Sequence, residues 1–333
     1  MHIGMDNAIL LADPHSKSWD FALKIQRYIK ETRNTEFPLK EVHFTKFRNK
    51  EIGVNIPENV RKRDVYFIHD PNKEPQDWWV ELLLIKDLLL SASANSVTFV
   101  LTNMLYSRQD RKDKPHVPIS ARALARSISH GLRRIITIDL HAGQVQGFYP
   151  EEVPVDNLYS FPEVVMYLRS NHFADLDDVV IVSPDAGAAG RTKGFLRALE
   201  KAQSDSTEKQ KYHFALISKE RSKPGEVGEM QVVGDVKGKN VLIPDDIIDS
   251  GGTLCNAASV LKANGAKKLL CYGTHGIFTN GIGELSKNFD VVMTSNTHHQ
   301  ENNHIEVIDM SPLFAEAIYR AQMGHSISEL FQT

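Results

Sequence analysis

The sequence predicts an α/β fold with mainly parallel sheets, because short apolar runs alternate with amphipathic stretches along almost the whole chain. Ten of these runs are nearly continuous in hydrophobicity, as expected for strands that are covered on both faces. The predicted strands are Ala8–Leu11, Val65–Ile68, Val97–Leu101, Ile135–Ile138, Val179–Val182, Phe214–Ile217, Val241–Ile243, Leu269–Tyr272, Val291–Thr294 and Ile305–Ile308. Ten strands are more than one small sheet usually holds, so a chain of 333 residues is expected to form two domains. We place the boundary near Pro154–Pro162, which gives domains 1–158 and 159–333, with the last helix packing back on the first domain.

Helices are predicted where apolar residues recur every three or four positions between the strands. Two such faces consist of Trp19, Ala22, Ile25 and Ile29, and of Leu254, Ala257, Ala258 and Leu261. The second of these helices is expected to end at Gly265, because glycine is favoured directly after a helix. Ser120 is expected to cap another helix, which stops near Gly131.

The composition excludes several classes of protein. Lys and Arg number 39 against 42 Asp and Glu, so the net charge is −3, which argues against nucleic-acid binding through bulk charge. Hydrophobic residues make up 41% and charged residues 24%, as in globular proteins. No apolar run is long enough to span a membrane. With two cysteines and no signal-peptide pattern at the start, we expect a cytoplasmic protein.

The strongest local pattern lies at Val241–Thr253, where a predicted buried strand leads into two acids, a loop of small residues and a helix. Ser250–Thr253 would direct free N–H groups and hydroxyls at one point, and the helix dipole favours an anion there. Asp245 and Asp246 can accept hydrogen bonds from neighbouring sugar hydroxyls. This order suits a pentose 5-phosphate, and the alternative interpretation is a tight turn with a capping acid.

Two more strand ends carry acids. Ser183–Arg191 is a second passage from strand to helix through small residues, and its Asp185 can hold a metal or its waters. The alternative is a plain strand–helix turn. Asp139 and His141 follow another strand, at the edge where open α/β sheets bind ligands. The alternative for His141 is a histidine satisfied at a strand end.

Two basic segments could contact phosphates. Tyr106–Asp113 contains two arginines and a lysine and is equally typical of a polyphosphate site or a solvated loop. Lys219–Met230 is polar and has no helical or strand period, so it is predicted to be a loop, either solvated or able to close Lys219 and Arg221 over an anionic transition state. The sequence contains neither G-x-x-x-x-G-K-[ST] nor G-x-G-x-x-G, so ATP binding cannot be inferred from a standard nucleotide motif.

The Val241–Thr253 segment resembles the ribose-phosphate loop of the phosphoribosyltransferase superfamily. Further segments, in family order, resemble one member of it, the ribose-phosphate diphosphokinases or phosphoribosyl pyrophosphate synthetases. They are Tyr106–Lys112, Pro118–Arg122, Asp139–Ala142, Gln146–Phe148, Pro154–Leu158, Ser183–Gly187, Val233–Gly238 and Thr274–Phe278. The resemblance implies two phosphoribosyltransferase-like domains, each a mainly parallel sheet flanked by helices. It also implies transfer of the β,γ-diphosphoryl group of Mg-ATP to the anomeric hydroxyl of ribose 5-phosphate, giving AMP and phosphoribosyl pyrophosphate.

The resemblance also implies a role for individual residues. ATP-binding residues would be Phe47, Asn49, Glu51, Arg108, Gln109 and His141. Ribose 5-phosphate would be bound by Asp245, Asp246, Asp249, Ser250, Gly251, Gly252 and Thr253, and the pyrophosphate loop would be Asp185, Ala186, Gly187 and Ala188. Mg²⁺ would contact His141 and Asp185, and the catalytic cations would be Lys219 and Arg221. Phe47–Glu51 would reach the ATP site of a neighbouring subunit, so the resemblance implies a homo-oligomer, often hexameric, without nucleic-acid or membrane partners.

The chain departs from the family pattern in three places. Lys50 stands where the family usually has glycine, and Tyr149–Val153 is two residues longer, so either Glu151 or Glu152 could replace a family acid. The His298–His304 tract replaces apolar and proline residues. We expect a polar surface loop there rather than a transition-metal site.

Two other functions are possible from the sequence. One is a catalytically silent regulatory member of the family, and the other is a base-transferring phosphoribosyltransferase. A silent member should have lost the loop cations or the ribose acids, and this chain keeps both sets. The segments Tyr106–Asp113 and Asp139–Ala142 argue against a base-transferring phosphoribosyltransferase.

Overall fold

The computed structural model describes residues 7–173, 178–203, 211–219 and 230–331. The strands in this part of the chain are β1 (Ala8–Ala12), β2 (Leu39–Glu41), β3 (His43–Lys46), β4 (Ile52–Asn55), β5 (Asp64–His69), β6 (Ser96–Leu101), β7 (Arg134–Ile138), β8 (Val155–Leu158), β9 (Val179–Ser183), β10 (Tyr212–Lys219), β11 (Met230–Val233), β12 (Asn240–Ile248), β13 (Lys268–Gly276), β14 (Val291–Ser295) and β15 (Glu306–Ile308). The α-helices are α1 (Ser18–Arg33), α2 (Pro75–Ser91), α3 (Ser120–Ile128), α4 (Phe161–Leu168), α5 (Ala189–Lys201), α6 (Gly252–Ala263), α7 (Gly283–Asn288) and α8 (Ser311–Met323). None of these helices is long and apolar enough to cross a bilayer.

The chain divides into two compact units. The first contains the described residues up to Tyr159, the segment Asn296–His299 and the described residues from Asp309 onward. The second contains the described residues of Ser160–Ser295 and of Gln300–Ile308. Each unit has its own sheet, and β3 and β4 form a separate antiparallel hairpin in the first unit.

The first sheet has the strand order β2-β1-β5-β6-β7-β8, and all its neighbouring strands are parallel. The helices α2 and α3 pack on one core built from apolar residues of β1, β5, β6 and β7. The helix α1 buries Ala22, Ile25 and Ile29 of the predicted face, while Trp19 of that face is half-buried. The helix packs against α8, where the ring centres of Phe21 and Phe314 lie 5.4 Å apart. Consecutive residues of β1, β5, β6 and β7 are buried, so both faces of these strands are covered. This explains why their sequences are hydrophobic at successive positions rather than at every second one.

The second sheet has the order β11-β10-β9-β12-β13-β14-β15, and only the pairing of β10 with β11 is antiparallel. The helices α6 and α7 share a core with residues of β9, β10, β12 and β13. The helices α4 and α5 pack together through Phe161 and Phe195, whose ring centres lie 5.1 Å apart. The predicted end of α6 is confirmed, because Gly265 has a φ of 81° directly after the last turn.

The predicted fold class and the ten predicted strands are confirmed. Five short strands were not predicted, namely β2, β3, β4, β8 and β11, which have three or four residues each. Their residues are mostly half-buried or exposed, so they lack the continuous apolar runs on which the prediction depended.

Two local expectations are wrong. Ser120 does not cap α3, because it is the first helical residue and its hydroxyl donates a hydrogen bond to Gln109 Oε1. Lys219–Met230 is not a loop throughout, because Lys219 and Met230 are paired strand residues of β10 and β11. Residues 220–229 and the predicted exposed loop 204–210 lie outside the described residues.

Candidate active site

The strand β12 carries the two predicted ribose acids beyond the point where β9 stops. It pairs with β13 from Asn240 to Ile248, but with β9 only from Asn240 to Leu242, and β9 itself ends two residues after the last pair, at Ser183. The carboxyl half of β12 therefore has one edge without a β9 partner. Asp245 and Asp246 lie within this half and not after the strand as predicted, since β12 keeps its pairing with β13 as far as Ile248.

Asp245 and Asp246 form one cluster with Arg191. The Asp246 side chain is buried and its Oδ1 accepts a hydrogen bond from Arg191 Nη1, which also lies 3.5 Å from Asp245 Oδ1. The backbone N–H of Asp246 donates to Asp245 Oδ1 at 2.9 Å. Burial and the neighbouring Asp246 carboxylate raise the pKa of Asp245 to about 7. The pair therefore combines one buried, cation-bound carboxylate with a second that takes up a proton more readily.

The predicted phosphate loop leads into α6. Gly251 has a φ of 76°, a left-handed conformation that glycine adopts without strain, and its carbonyl accepts the first helical hydrogen bond from Cys255. The first N–H groups of a helix have no acceptor within the helix, so the start of α6 presents donors where Gly252 and Thr253 are exposed. Asp249 accepts hydrogen bonds from the Thr279 hydroxyl at 2.8 Å and, through its carbonyl, from the Thr279 N–H at 3.2 Å. The loop is thereby held against the segment that follows β13.

The predicted pyrophosphate loop begins directly after β9. The Ser183 hydroxyl donates to the Asp185 carbonyl at 2.7 Å, and the Ala188 N–H donates to Asp185 Oδ1 at 2.9 Å. Ala186 and Gly187 are exposed between these contacts. One carboxylate oxygen of Asp185 therefore fixes the turn into α5, and the other has no hydrogen bond within the described residues.

The strand register relates Lys219 to this edge. Leu216 of β10 pairs with Ser183, so the backbone of Lys219 lies three residues beyond the last residue of β9. Arg221 lies outside the described residues. The second unit thus brings the Asp185 loop, the Asp245–Asp246 pair, the start of α6 and the backbone of Lys219 to the carboxyl edge of one sheet, where α/β proteins bind ligands.

The hairpin β3–β4 presents the first group of predicted ATP-binding residues. The Phe47 N–H donates to the Glu51 carbonyl at 2.8 Å, and the Lys50 N–H donates to the Phe47 carbonyl at 2.9 Å. The turn forms with Lys50 at a φ of 73° in place of the glycine that the family usually has. The Asn49 amide donates to Glu51 Oε2 at 2.7 Å, and the Phe47 ring is 54% exposed.

Two loops at the carboxyl edge of the first sheet present the second group. Arg108 and Gln109 are exposed in the loop after β6, and His141 is exposed after β7. A hydrogen bond from the Gln144 amide to Asp110 joins the two loops. The structure therefore brings Arg108, Gln109 and His141 to neighbouring loops of one sheet edge. Glu151 and Glu152 are both exposed, so burial does not distinguish them.

Comparisons with known proteins agree with this geometry. Residues 15–130 match the family described as the N-terminal domain of ribose phosphate pyrophosphokinase, and residues 178–332 match the phosphoribosyl synthetase-associated domain. The chain is 38% identical over 302 residues to a ribose-phosphate pyrophosphokinase of Rhizobium meliloti, covering 88% of this chain and 93% of the relative. It is 40% identical over 301 residues to ribose-phosphate pyrophosphokinase 4 of Saccharomyces cerevisiae, covering 88% of each chain. The chain belongs to the ribose-phosphate pyrophosphokinase family.

A solved structure of the family supports the assignment. The crystal structure of phosphoribosylpyrophosphate synthetase from Mycobacterium smegmatis has a TM-score of 0.81 and 30% sequence identity with this chain, and the similarity covers 95% of this chain and 99% of the other. The likeness therefore extends over the sheets of both units.

Sequence reasoning did not single out Arg191, which contacts both acids of this candidate site. Arg191 is the third residue of α5, where the positive end of the helix dipole disfavours a cation. A basic residue at such a position, directly after a loop of small residues, signals that an acid lies nearby. The acid could not be identified from sequence, since Asp246 is 55 residues further along the chain.

The histidine tract also differs from its expectation. His298 is buried, and its Nε2 lies 2.9 Å from the Asn103 amide nitrogen. The Thr102 hydroxyl donates to the Thr297 carbonyl at 2.9 Å. The expected polar surface loop is therefore wrong for His298, because Asn296–His299 belongs to the first unit. His299 and His304 are exposed as expected.

Proposed function

We propose that this chain is a ribose-phosphate pyrophosphokinase, which makes 5-phosphoribosyl 1-pyrophosphate and AMP from ribose 5-phosphate and ATP for nucleotide biosynthesis. The anomeric oxygen forms a bond to the β-phosphorus, and the bond from that phosphorus to the oxygen bridging to the α-phosphorus breaks. AMP leaves with the bridging oxygen, and the hydroxyl proton goes to solvent. The observation that carries the proposal is the convergence of Asp185, Asp245, Asp246 and the start of α6 at one sheet edge. The names of the relatives support it.

In this proposal the second unit binds ribose 5-phosphate. The residues Ser250–Thr253 bind the 5-phosphate through backbone N–H groups and hydroxyls at the start of α6. Asp245, Asp246 and Asp249 accept hydrogen bonds from the ribose hydroxyls. Arg191 holds the buried Asp246 side chain in place through their hydrogen bond and ion pair.

The first unit contributes the ATP-binding residues. Arg108, Gln109 and His141 contact the nucleotide from the loops after β6 and β7. Phe47, Asn49 and Glu51 reach the adenine of a neighbouring subunit, so the proposal includes a homo-oligomer, which the resemblance makes a hexamer. Lys219 and Arg221 stabilise the charge that develops on the transferred group, since phosphoryl transfer is catalysed mainly by position and charge.

Magnesium is part of the proposal, and the donor atoms fit it. The described residues contain no group of three or more side chains that could hold a metal ion. Mg²⁺ usually takes one or two carboxylates and completes its shell with water and substrate phosphates, so the second oxygen of Asp185 suits it. His141 is a weaker candidate, because Mg²⁺ prefers oxygen. When bound, Mg²⁺ neutralises and orients the triphosphate.

The test is an assay of the purified chain with ATP labelled at the γ-phosphate, with and without ribose 5-phosphate. The proposal predicts AMP that depends on ribose 5-phosphate, with the label in the sugar product and not in free phosphate. EDTA should abolish the reaction, and excess Mg²⁺ should restore it. No AMP from the chain alone, together with stimulation of an active relative, would indicate the regulatory alternative. Consumption of phosphoribosyl pyrophosphate with a free base would indicate the base-transferring alternative.

A cytoplasmic location stays a prediction.

A further inference from the structure

A buried ionic network lies between the carboxyl ends of β1 and β5 in the first unit. The Lys73 ammonium lies 2.9 and 2.7 Å from the two carboxylate oxygens of Glu81 and 3.3 Å from Asp13 Oδ2. Glu81 is 5% and Asp13 8% exposed. Two carboxylates on different elements, one after β1 and one in α2, thus hold a single ammonium in place.

The same ammonium lies against the hairpin. Lys73 Nζ is 4.5 Å from the centre of the Phe44 ring, which belongs to β3. The Phe44 ring also packs beside Phe67 and His69 of β5, with ring centres 6.1 Å apart in each case. A cation over an aromatic face is attracted to it, most strongly where both are shielded from water.

Besides the Lys73 contact, the hairpin is held by Phe44 and Val54, which pack against the apolar core of the first unit. Its two strands pair with each other and are not part of the six-stranded sheet. The ion pair of Lys46 with Asp77 also joins the hairpin to α2, but its side chains are 48% and 30% exposed, and exposed pairs of this kind contribute little. The Phe44 contact is the more buried of the two.

We propose that Lys73 is a positioning residue for ATP binding. Asp13 and Glu81 hold its ammonium over Phe44, and this contact sets the orientation in which the hairpin presents Phe47, Asn49 and Glu51. The inference rests on the proposed function, because it takes these three residues to contact ATP. Lys73 itself does not touch the substrate in this scheme.

The test compares Lys73→Met with a matched control. Lys73→Met keeps most of the side-chain stem and removes the charge, and it should raise the KM for ATP about tenfold by loss of a shielded cation–ring contact. The KM for ribose 5-phosphate and kcat should stay within about twofold, since only a uniform binding contact is lost. Arg33→Met is the control, because it removes a cation from the ion pair with the buried Glu316 elsewhere in the same unit. It should leave the KM for ATP unchanged.

A second variant guards against failure to fold, since Lys73→Met leaves two buried carboxylates without their cation. Phe44→Leu keeps the ion pairs and an apolar side chain but removes the ring, and it should raise the KM for ATP in the same way. Hydrogen exchange in a peptide covering residues 43–55 should become faster in both variants.

The outcomes separate the inference from the proposed function. An inactive wild-type chain would refute the proposed function. An active wild type whose KM for ATP is unchanged in Phe44→Leu, or in a folded Lys73→Met, would overturn the inference alone. Equal rises in the KM for both substrates would also overturn it, because they would indicate general damage.

Discussion

The strand order β2-β1-β5-β6-β7-β8 of the first sheet corresponds to β10-β9-β12-β13-β14-β15 of the second. The loops after β1 and β5 therefore correspond to the loops after β9 and β12. In the first unit these loops carry Asp13 and Lys73, and the Lys73 ammonium pairs with both Asp13 and Glu81. In the second unit Asp185 lies in the loop after β9, while Asp245 and Asp246 lie in the last part of β12, just before the loop that leads into α6. The cation that meets these two acids comes from α5.

The helices that follow β5 and β12 explain why the loop after β12 suits an anion and the loop after β5 does not. The helix α6 begins at Gly252, and its first turn keeps its N–H donors. The helix α2 begins at Pro75, which has no N–H, and it follows Glu74, whose charge repels an anion. Equivalent positions in one topology thus acquire different chemistry from a few loop residues, and function has to be argued from the site rather than from the fold.

The largest expected effect is a loss of kcat when the cations of the second unit are removed. The corresponding strands β10 and β2 end in different residues, Lys219 in the second unit and Glu41 in the first. Lys219→Ala and Arg221→Ala should each lower kcat at least about 100-fold, as does loss of one donor to a transition-state charge. KM should change less, because the proposed function has these cations act mainly in the transition state. Lys287→Ala removes an exposed cation of the second unit and should stay within about twofold. Steady-state kinetics with folding checked by circular dichroism measure this, and near-wild-type kcat in both variants would remove the two residues from the mechanism.

The next effect distinguishes an acid of the second unit, Asp246, from an acid of the first, Asp13. Asp246→Asn should raise the KM for ribose 5-phosphate about tenfold or more, because a charged hydrogen-bond acceptor is lost beside the sugar. Asp13→Asn should leave that KM within about twofold and lower the free energy of unfolding by about 1–3 kcal/mol, since it weakens a buried ion pair. Kinetics and urea unfolding of both variants check the contrast. A similar rise in the KM for ribose 5-phosphate in both variants would contradict the proposal that only the second unit binds the sugar.

The smallest effect is a difference in pH dependence. Burial raises the pKa of Asp245 and of Glu81 to about 7, so the folded chain keeps protons that the unfolded chain has lost above about pH 4. The stability of the wild type should therefore fall relative to Asp245→Asn as the pH rises from 5 to 7, by about 1.4 kcal/mol per pH unit at most for one proton. Glu81→Gln should show the same sign in the first unit. Urea unfolding at several pH values measures the differences, and parallel pH profiles would contradict both assignments.

The main elements could be predicted because their signals are local. Ten strands are visible as apolar runs, and the Gly251 turn and the Gly265 helix end depend on the backbone freedom of glycine at single positions. The short strands could not be predicted in this way, because strands such as β2 and β8 gain stability from pairing with a buried neighbour and not from their own residues. Lys50 shows that a local rule can also be overridden. The hairpin turn forms although Lys50 has a positive φ, which is unfavourable for a residue other than glycine.

The sequence by itself determined which residues stand at the ends of which strands, and hence that acids and small-residue loops would meet at sheet edges. Only the tertiary structure decided which polar side chains pair. Asp246 meets Arg191 across 55 positions, Lys73 meets Asp13 across 60, and His298 meets Asn103 across 195. Such pairs depend on which strands lie side by side, and parallel strands are joined by crossovers that bring distant segments together. The hydrophobic period of one segment does not indicate which distant segment it will contact. These contacts could therefore be identified only in the folded chain.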